Sequence, residues 1–202
     1  MAILSFARLK QMLQLARRKP GGEFAPTWRG DTGFTDLLDR QHVPKYDLRV
    51  EALGTLDEVS SAIGVARVKA STPAAHDLLL EIQYDLCYMM SEVAGYQTNG
   101  TGKQVDARRT AWLEAQLESL QNEAPWAKGF VAPGDTPFSA DLHMARAISR
   151  RAERQIAKLT HVNELKNPHI LAYLNRMAYV LFALARAEEA RAGVNAPTMV
   201  KK

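Results

Sequence analysis

The chain has 202 residues, 47% of them hydrophobic and 24% charged, proportions that fit one well-cored soluble domain. No run approaches the roughly 18 consecutive apolar residues of a membrane span, and a lone cysteine, Cys87, cannot close an internal disulfide. A reducing, intracellular setting follows, cytoplasmic in the first instance with the mitochondrial matrix as the alternative. The net charge of +4 is concentrated at one end: five basic residues and no acid fall in residues 1–22, which leaves a nearly neutral body and argues against a duplex-binding domain.

In chain order, the first nineteen residues of a basic amphipathic extension over 1–22 read as a helix, with Ile3, Leu4, Phe6, Leu9, Met12, Leu13 and Leu15 as its apolar content, and Gly21 and Gly22 mark a hinge into the body. A signal peptide needs a longer apolar core and a small-residue cleavage site. A mitochondrial presequence ranks behind a mobile or oligomer-packing N-terminal extension. The body is expected over residues 23–193, with 194–202 as a C-terminal tail.

Three N-capping residues stand directly before a proline: Thr72-Pro73, Thr136-Pro137 and Asn167-Pro168. Proline at the first helical position loses no needed hydrogen bond, and the preceding side chain can accept one from the exposed amides. Asp106 offers a fourth cap before Trp112, Leu113, Leu117 and Leu120 at helical spacing. These signals predict helices near 47–70, 74–97, 106–123, 137–160 and 168–192, the last closed by Gly193. No stretch of convincing period-two alternation competes with them. The fold is predicted all-α, a five-helix bundle, and the loops 23–46 and 125–136 remain as the places for chemistry.

The usual site patterns are missing. No histidine has a glutamate three residues before it, as a di-iron bundle requires, and neither His-Glu-x-x-His nor paired Cys-x-x-Cys occurs, so no metal site is expected. Gly95–Lys103 lacks the earlier glycine of a phosphate loop and follows a helix, while Asn99-Gly100-Thr101 and Arg29-Gly30-Asp31 are too short to carry meaning.

The fourth helix differs. Ala145, Ile148, Ala152, Ile156 and Leu159 form an apolar stripe, and His143, Arg146, Arg150, Glu153 and Arg154 run along a neighbouring face. Four arginines between 146 and 154 against one glutamate repel one another on a merely solvated face. They suit phosphate oxygens, which guanidinium forks bind bidentately. Salt bridges to acids such as Asp57 and Glu58 are the competing reading. On the first helix, Gly54, Asp57, Ser61 and Gly64 share a face that would let another helix come close, and Asp57 would pair naturally with one of those arginines.

These residues carry a resemblance. Leu142-His143-x-Ala145-Arg146 followed by Arg150-Arg151-Ala152-Glu153-Arg154, together with Gly54-Thr55-x-Asp57-Glu58, Phe130 with Pro133-Gly134, and Leu174-Asn175-Arg176, resembles the PduO-type corrinoid adenosyltransferases over about Thr27 to Arg191. The resemblance implies a homotrimer with active sites between subunits. It also implies transfer of the 5′-deoxyadenosyl group of ATP to cob(I)alamin, with Mg²⁺ accompanying ATP and triphosphate leaving. Thr27, Gly30, Thr35 and Lys45 would line the loop side of the ATP site, and Arg150, Arg151, Glu153, Arg154 and Asn175 would complete it. Asp57 and Arg146 would form a salt bridge across the subunit interface and, with Arg150, serve catalysis; Phe130 would lie against the corrin ring. A reductase or an adenosylcobalamin-dependent enzyme would be a further partner.

The sequence departs from the family pattern at three places. Arg29-Gly30-Asp31-Thr32-Gly33 stands where members carry Thr-Gly-Asp-x-Gly, Asp39-Arg40 replaces a glycine-bearing segment, and Ala178-Tyr179 replaces Ser-Asp. Glycine loss restricts backbone approach to phosphate, and Asp39 is expected to add negative charge beside an anionic nucleotide. A non-catalytic corrinoid- or nucleotide-binding homologue, acting as carrier, sensor or interaction subunit, is the alternative function.

Overall fold

The computed structural model describes residues 28–96, 104–124, 126–194 and 196–201. Residues 1–27, including the N-terminal extension and Thr27, lie outside them. Five helices carry the fold: α1 (Leu48–Arg67), α2 (Pro73–Val93), α3 (Ala107–Glu123), α4 (Pro137–His161) and α5 (Pro168–Arg191). Every predicted cap is used. Thr72, Asp106, Thr136 and Asn167 each accept from a backbone amide in the first turn, and Thr136 and Ser139 complete a reciprocal capping box. Asp47 caps α1 in the same way.

α2 stops four residues earlier than predicted. Gly95, at φ 98°, takes the left-handed conformation that ends a helix, and Tyr96 N–H reaches back to the Ser91 carbonyl. Gly193, at φ 86°, ends α5 likewise.

α4 packs against both α1 and α5, α3 lies on α5, and α2 on α1. α5 is long and apolar enough to cross a membrane by length and composition, yet 67% of its apolar window is buried in the bundle. Ile170, Tyr173, Leu174, Met177, Val180 and Leu181 meet Leu142, Ala145, Ala152 and Ile156 of α4 in the core. One polar strut crosses it: Asp85 of α2 accepts from Tyr173 Oη at 2.6 Å and from Arg109 Nη2 at 2.6 Å, tying α2, α3 and α5 together.

The segment before α1 is not plain loop. A 3-10 turn at Arg29–Thr32 leads into a two-stranded antiparallel hairpin, β1 (Phe34–Thr35) and β2 (Val43–Pro44). Two-residue strands are too short to show alternation, which is why periodicity missed them. Phe34 stacks on His42 with ring centroids 4.1 Å apart, and Asp36 accepts from the His42 amide, so the hairpin is held by local contacts.

Candidate active site

The hairpin brings three predicted residues together. Lys45 N–H donates to the Gly33 carbonyl at 2.9 Å, Thr35 lies on β1, and a Cβ on Gly30 would sit 2.8 Å from Lys45 Nζ. Gly30 is therefore what lets the lysine head group lie close against the turn.

Asp39 and Arg40 correct the expectation of an added negative charge. Asp39 accepts two bonds from the Arg49 guanidinium, at 3.0 and 3.1 Å, and Arg49 Nε donates to the Val93 carbonyl at 2.8 Å. That hydrogen-bonded guanidinium holds the Asp39 carboxyl below its ordinary pKa, so its charge is neutralised within the fold. Arg40 pairs with Glu164 at 3.1 Å and links the hairpin segment to the α4–α5 turn. Gly95 permits this packing, because any Cβ there would fall 2.3 Å from the Asp39 carboxylate.

A groove of about 560 Å³ opens at the same end, between the last turns of α4 and the first turns of α5. Arg150, Glu153, Arg154 and Ala157 line one wall; Leu171, Ala172, Asn175 and Arg176 line the other. Both sets recur at i, i+3, i+4 spacing, the repeat that keeps residues on one helical face. Glu153 Oε1 accepts from Asn175 Nδ2 at 2.9 Å, crosslinking the walls. Arg154 Nη1 donates to the Arg150 carbonyl, Arg176 Nε donates to Glu114 at 3.1 Å, and Arg150 has no side-chain partner among the described residues. Three guanidinium groups thus converge on one groove, and Glu114 of α3 pairs with one of them, Arg176. Arg176 was absent from the predicted site. Its spacing from Leu171 and Ala172 on the groove stripe is the signal that marks it.

Arg151 points elsewhere. One residue past Arg150 turns it about 100° around the helix axis, and it pairs with Glu58 of α1 instead of entering the groove. His143 likewise leaves the arginine line: it is buried, edge-on to Phe182 at 5.6 Å, with Nε2 4.0 Å from Glu189. Burial pushes its imidazole pKa down, partly opposed by Glu189, so it is no phosphate ligand on this chain's surface.

Arg146 lies over the Phe182 ring at 5.5 Å and has no acidic partner among the described residues. Burial and the nearby Arg150 both work against its positive charge. Asp57 is exposed on α1, also without a partner among the described residues. Phe182 stacks on Trp126 at 5.1 Å, and Trp126 meets Tyr179 edge-on at 6.3 Å. Ala178 is buried to 3%, so this departure from the family faces the core and leaves Tyr179 as the altered surface residue. Phe130, at 86% exposure, projects from the loop before α4.

The Cobalamin adenosyltransferase family model matches residues 25–188. The chain is 37% identical over 172 residues to a corrinoid adenosyltransferase of Bacillus subtilis, covering 83% of this chain and 88% of that one. It is 36% identical over 166 residues to the corrinoid adenosyltransferase PduO of Citrobacter freundii, covering 81% of this chain but only 49% of that protein, so it spans about half that relative's length. Among solved structures, a variant PduO-type ATP:corrinoid adenosyltransferase from Lactobacillus reuteri, complexed with cobalamin and ATP, superposes with a TM-score of 0.77 at 31% identity, covering 88% of this chain and 96% of that one. Bundle, arginine groove and sequence likeness extend over the same residues, and the chain belongs to the cobalamin adenosyltransferase family.

Proposed function

We propose that the protein transfers the 5′-deoxyadenosyl group of ATP to cob(I)alamin, giving adenosylcobalamin and triphosphate. The observation that carries this reading is the convergence of Arg150, Arg154 and Arg176 on a groove crosslinked by Glu153 and Asn175. Co(I) is a strong enough nucleophile to attack the ATP 5′ carbon unaided, so no general base is needed. The protein's work is to align cobalt with that carbon and to neutralise charge growing on the departing triphosphate.

In this assignment Arg150 and Arg154 grip the polyphosphate, and Glu153 and Asn175 fix the nucleotide's polar groups. Thr27, Gly30, Thr35 and Lys45 close the loop side, and Phe130 faces the corrin. Arg151 acts through its pairing with Glu58 at the edge of the site. Mg²⁺ arrives on the triphosphate, whose oxygens and water supply most of its ligands.

Asp57 and Arg146, neither with an oppositely charged partner among the described residues, support a homotrimer in which each pairs with the neighbouring subunit, and the cytoplasm is the proposed compartment. A reductase supplying Co(I), or an enzyme receiving adenosylcobalamin, is the fitting protein partner.

The test is incubation with ATP, Mg²⁺ and chemically reduced cobalamin, followed by the visible spectrum. Conversion to adenosylcobalamin is expected; ligand binding without product would instead make the protein a carrier or sensor.

A further inference from the structure

Beyond the Trp126–Phe182 stack at its start, the loop that presents Phe130 has little local packing to hold it. It contains Gly129 and Gly134 at φ 134° and 120°, flanking Pro133, and the exposed ring contributes no packing of its own. The order comes from a distant segment. Val131 and Met199 form an antiparallel bridge, Val200 N–H donates to the Phe130 carbonyl at 2.9 Å, and Ala132 N–H donates to the Thr198 carbonyl at 2.8 Å. These bonds bracket Val131 and fix the backbone immediately after Phe130. Gly129 lets the segment come close, since a Cβ there would lie 3.0 Å from Met199 Cε.

A clasp fixes the far end. Asp135 accepts from Thr198 N–H at 2.8 Å and from Thr198 Oγ1 at 2.6 Å, one oxygen to each donor. Those bonds lower the Asp135 pKa, so it remains a charged acceptor at neutral pH. Asp135 immediately precedes Thr136, the cap of α4. The segment is therefore registered against the helix that carries Arg146 and Arg150.

The geometry points to residues 198–200 as a strap that positions Phe130 for the corrin, with Asp135 and Thr198 as positioning residues. This rests on the proposed corrin-facing role of Phe130. Without the strap, the ring would have to be ordered by each incoming corrinoid, and that entropy would weaken corrinoid affinity. The nucleotide groove, about four turns away along α4, would be untouched.

The full chain is compared with D135A, T198V and T198S by steady-state kinetics in both substrates and by amide exchange at Ala132. D135A is expected to speed exchange at Ala132 and to raise KM for cob(I)alamin roughly three- to tenfold, the scale of losing an ordinary solvent-exposed hydrogen bond, while KM for ATP stays within about twofold. T198V, which keeps the backbone donor, should fall between D135A and the parent. T198S, which keeps both donors, should restore parental values.

Unchanged Ala132 exchange in D135A would overturn the strap itself. Faster exchange with a parental cobalamin KM would overturn its positioning role, as would equal increases in both KM values. F130A run alongside separates the two levels: if it leaves cobalamin KM unchanged, the corrin role of the loop fails, and this inference with it.

Discussion

Asp39 grips the buried guanidinium of Arg49 at both terminal nitrogens while Arg49 Nε caps the last carbonyl of α2, Val93. The contact joins the hairpin segment to the start of α1 and the end of α2. Arg49→Met would leave the Val93 carbonyl and the Asp39 carboxylate unpaired, and should destabilise the fold by about 2–3 kcal/mol in urea unfolding.

Asp39→Asn should cost less, because Asp39 is itself partly exposed to solvent. Its pH dependence has a definite sign. The folded carboxyl titrates below its ordinary value because Arg49 hydrogen-bonds it, so its stabilisation is complete above the unfolded carboxylate pKa of about 3.9 and is lost as pH falls through the folded value. The gap between wild type and Asp39→Asn in urea midpoint should be open at neutral pH and close in strong acid. A gap that widened on acidification would reverse the assignment.

This pair also marks the boundary of what the sequence discloses. Caps and periodicity are local, so Thr72, Asp106, Thr136 and Asn167 identify their helices without tertiary information, and the arginine line on α4 follows from spacing, whereas Asn175 on α5 enters only through the family resemblance and Arg176 only through the groove. Asp39 is different: its meaning depends on Arg49, whose direction is set by where α1 begins and where Gly95 ends α2. His143 sits at the edge of the apolar stripe, where a periodicity argument allows either face, and packing against Phe182 decides it. The strap is invisible for another reason. A single bridge between residues 131 and 199 leaves no pattern in either segment.

Arg150→Ala separates function from folding. The side chain is exposed and lacks a partner among the described residues, so its removal should change stability by no more than about 0.5 kcal/mol. Turnover should fall by roughly a hundredfold or more, the scale of losing a preorganised charge donor in a transition state. Thermal melting and adenosylcobalamin formation measured on the same preparation check both halves. A fully active variant would take Arg150 out of the site.

Gly30→Ala tests the hairpin. Its new Cβ meets the far end of a flexible side chain, Lys45 Nζ, and no rigid backbone, so the fold should tolerate it. The lysine must move. If Lys45 meets the nucleotide, KM for ATP should rise several-fold while KM for cob(I)alamin holds, which is opposite in sense to the strap variants. Parental ATP kinetics would remove the hairpin lysine from nucleotide binding.

Arg146 poses the sharpest electrostatic question in the chain. It is half-buried, it rests on the face of Phe182, and Arg150 lies close enough to oppose its charge. A cation–π contact of this kind contributes only about 0.5–2 kcal/mol, and a partly desolvated guanidinium without an anion is costly. Asp57 is exposed on α1 of the same chain, without a partner among the described residues. Each would satisfy the other if two copies of the chain met across this face. Asp57→Ala and Arg146→Ala should then each weaken both assembly and turnover, and the double variant should be scarcely worse than either single one. The double-mutant cycle, read from sedimentation and from kcat, should give a coupling of about 1–3 kcal/mol. Strictly additive effects would mean that Arg146 finds its anion elsewhere, with the substrate triphosphate as the remaining source of matching charge.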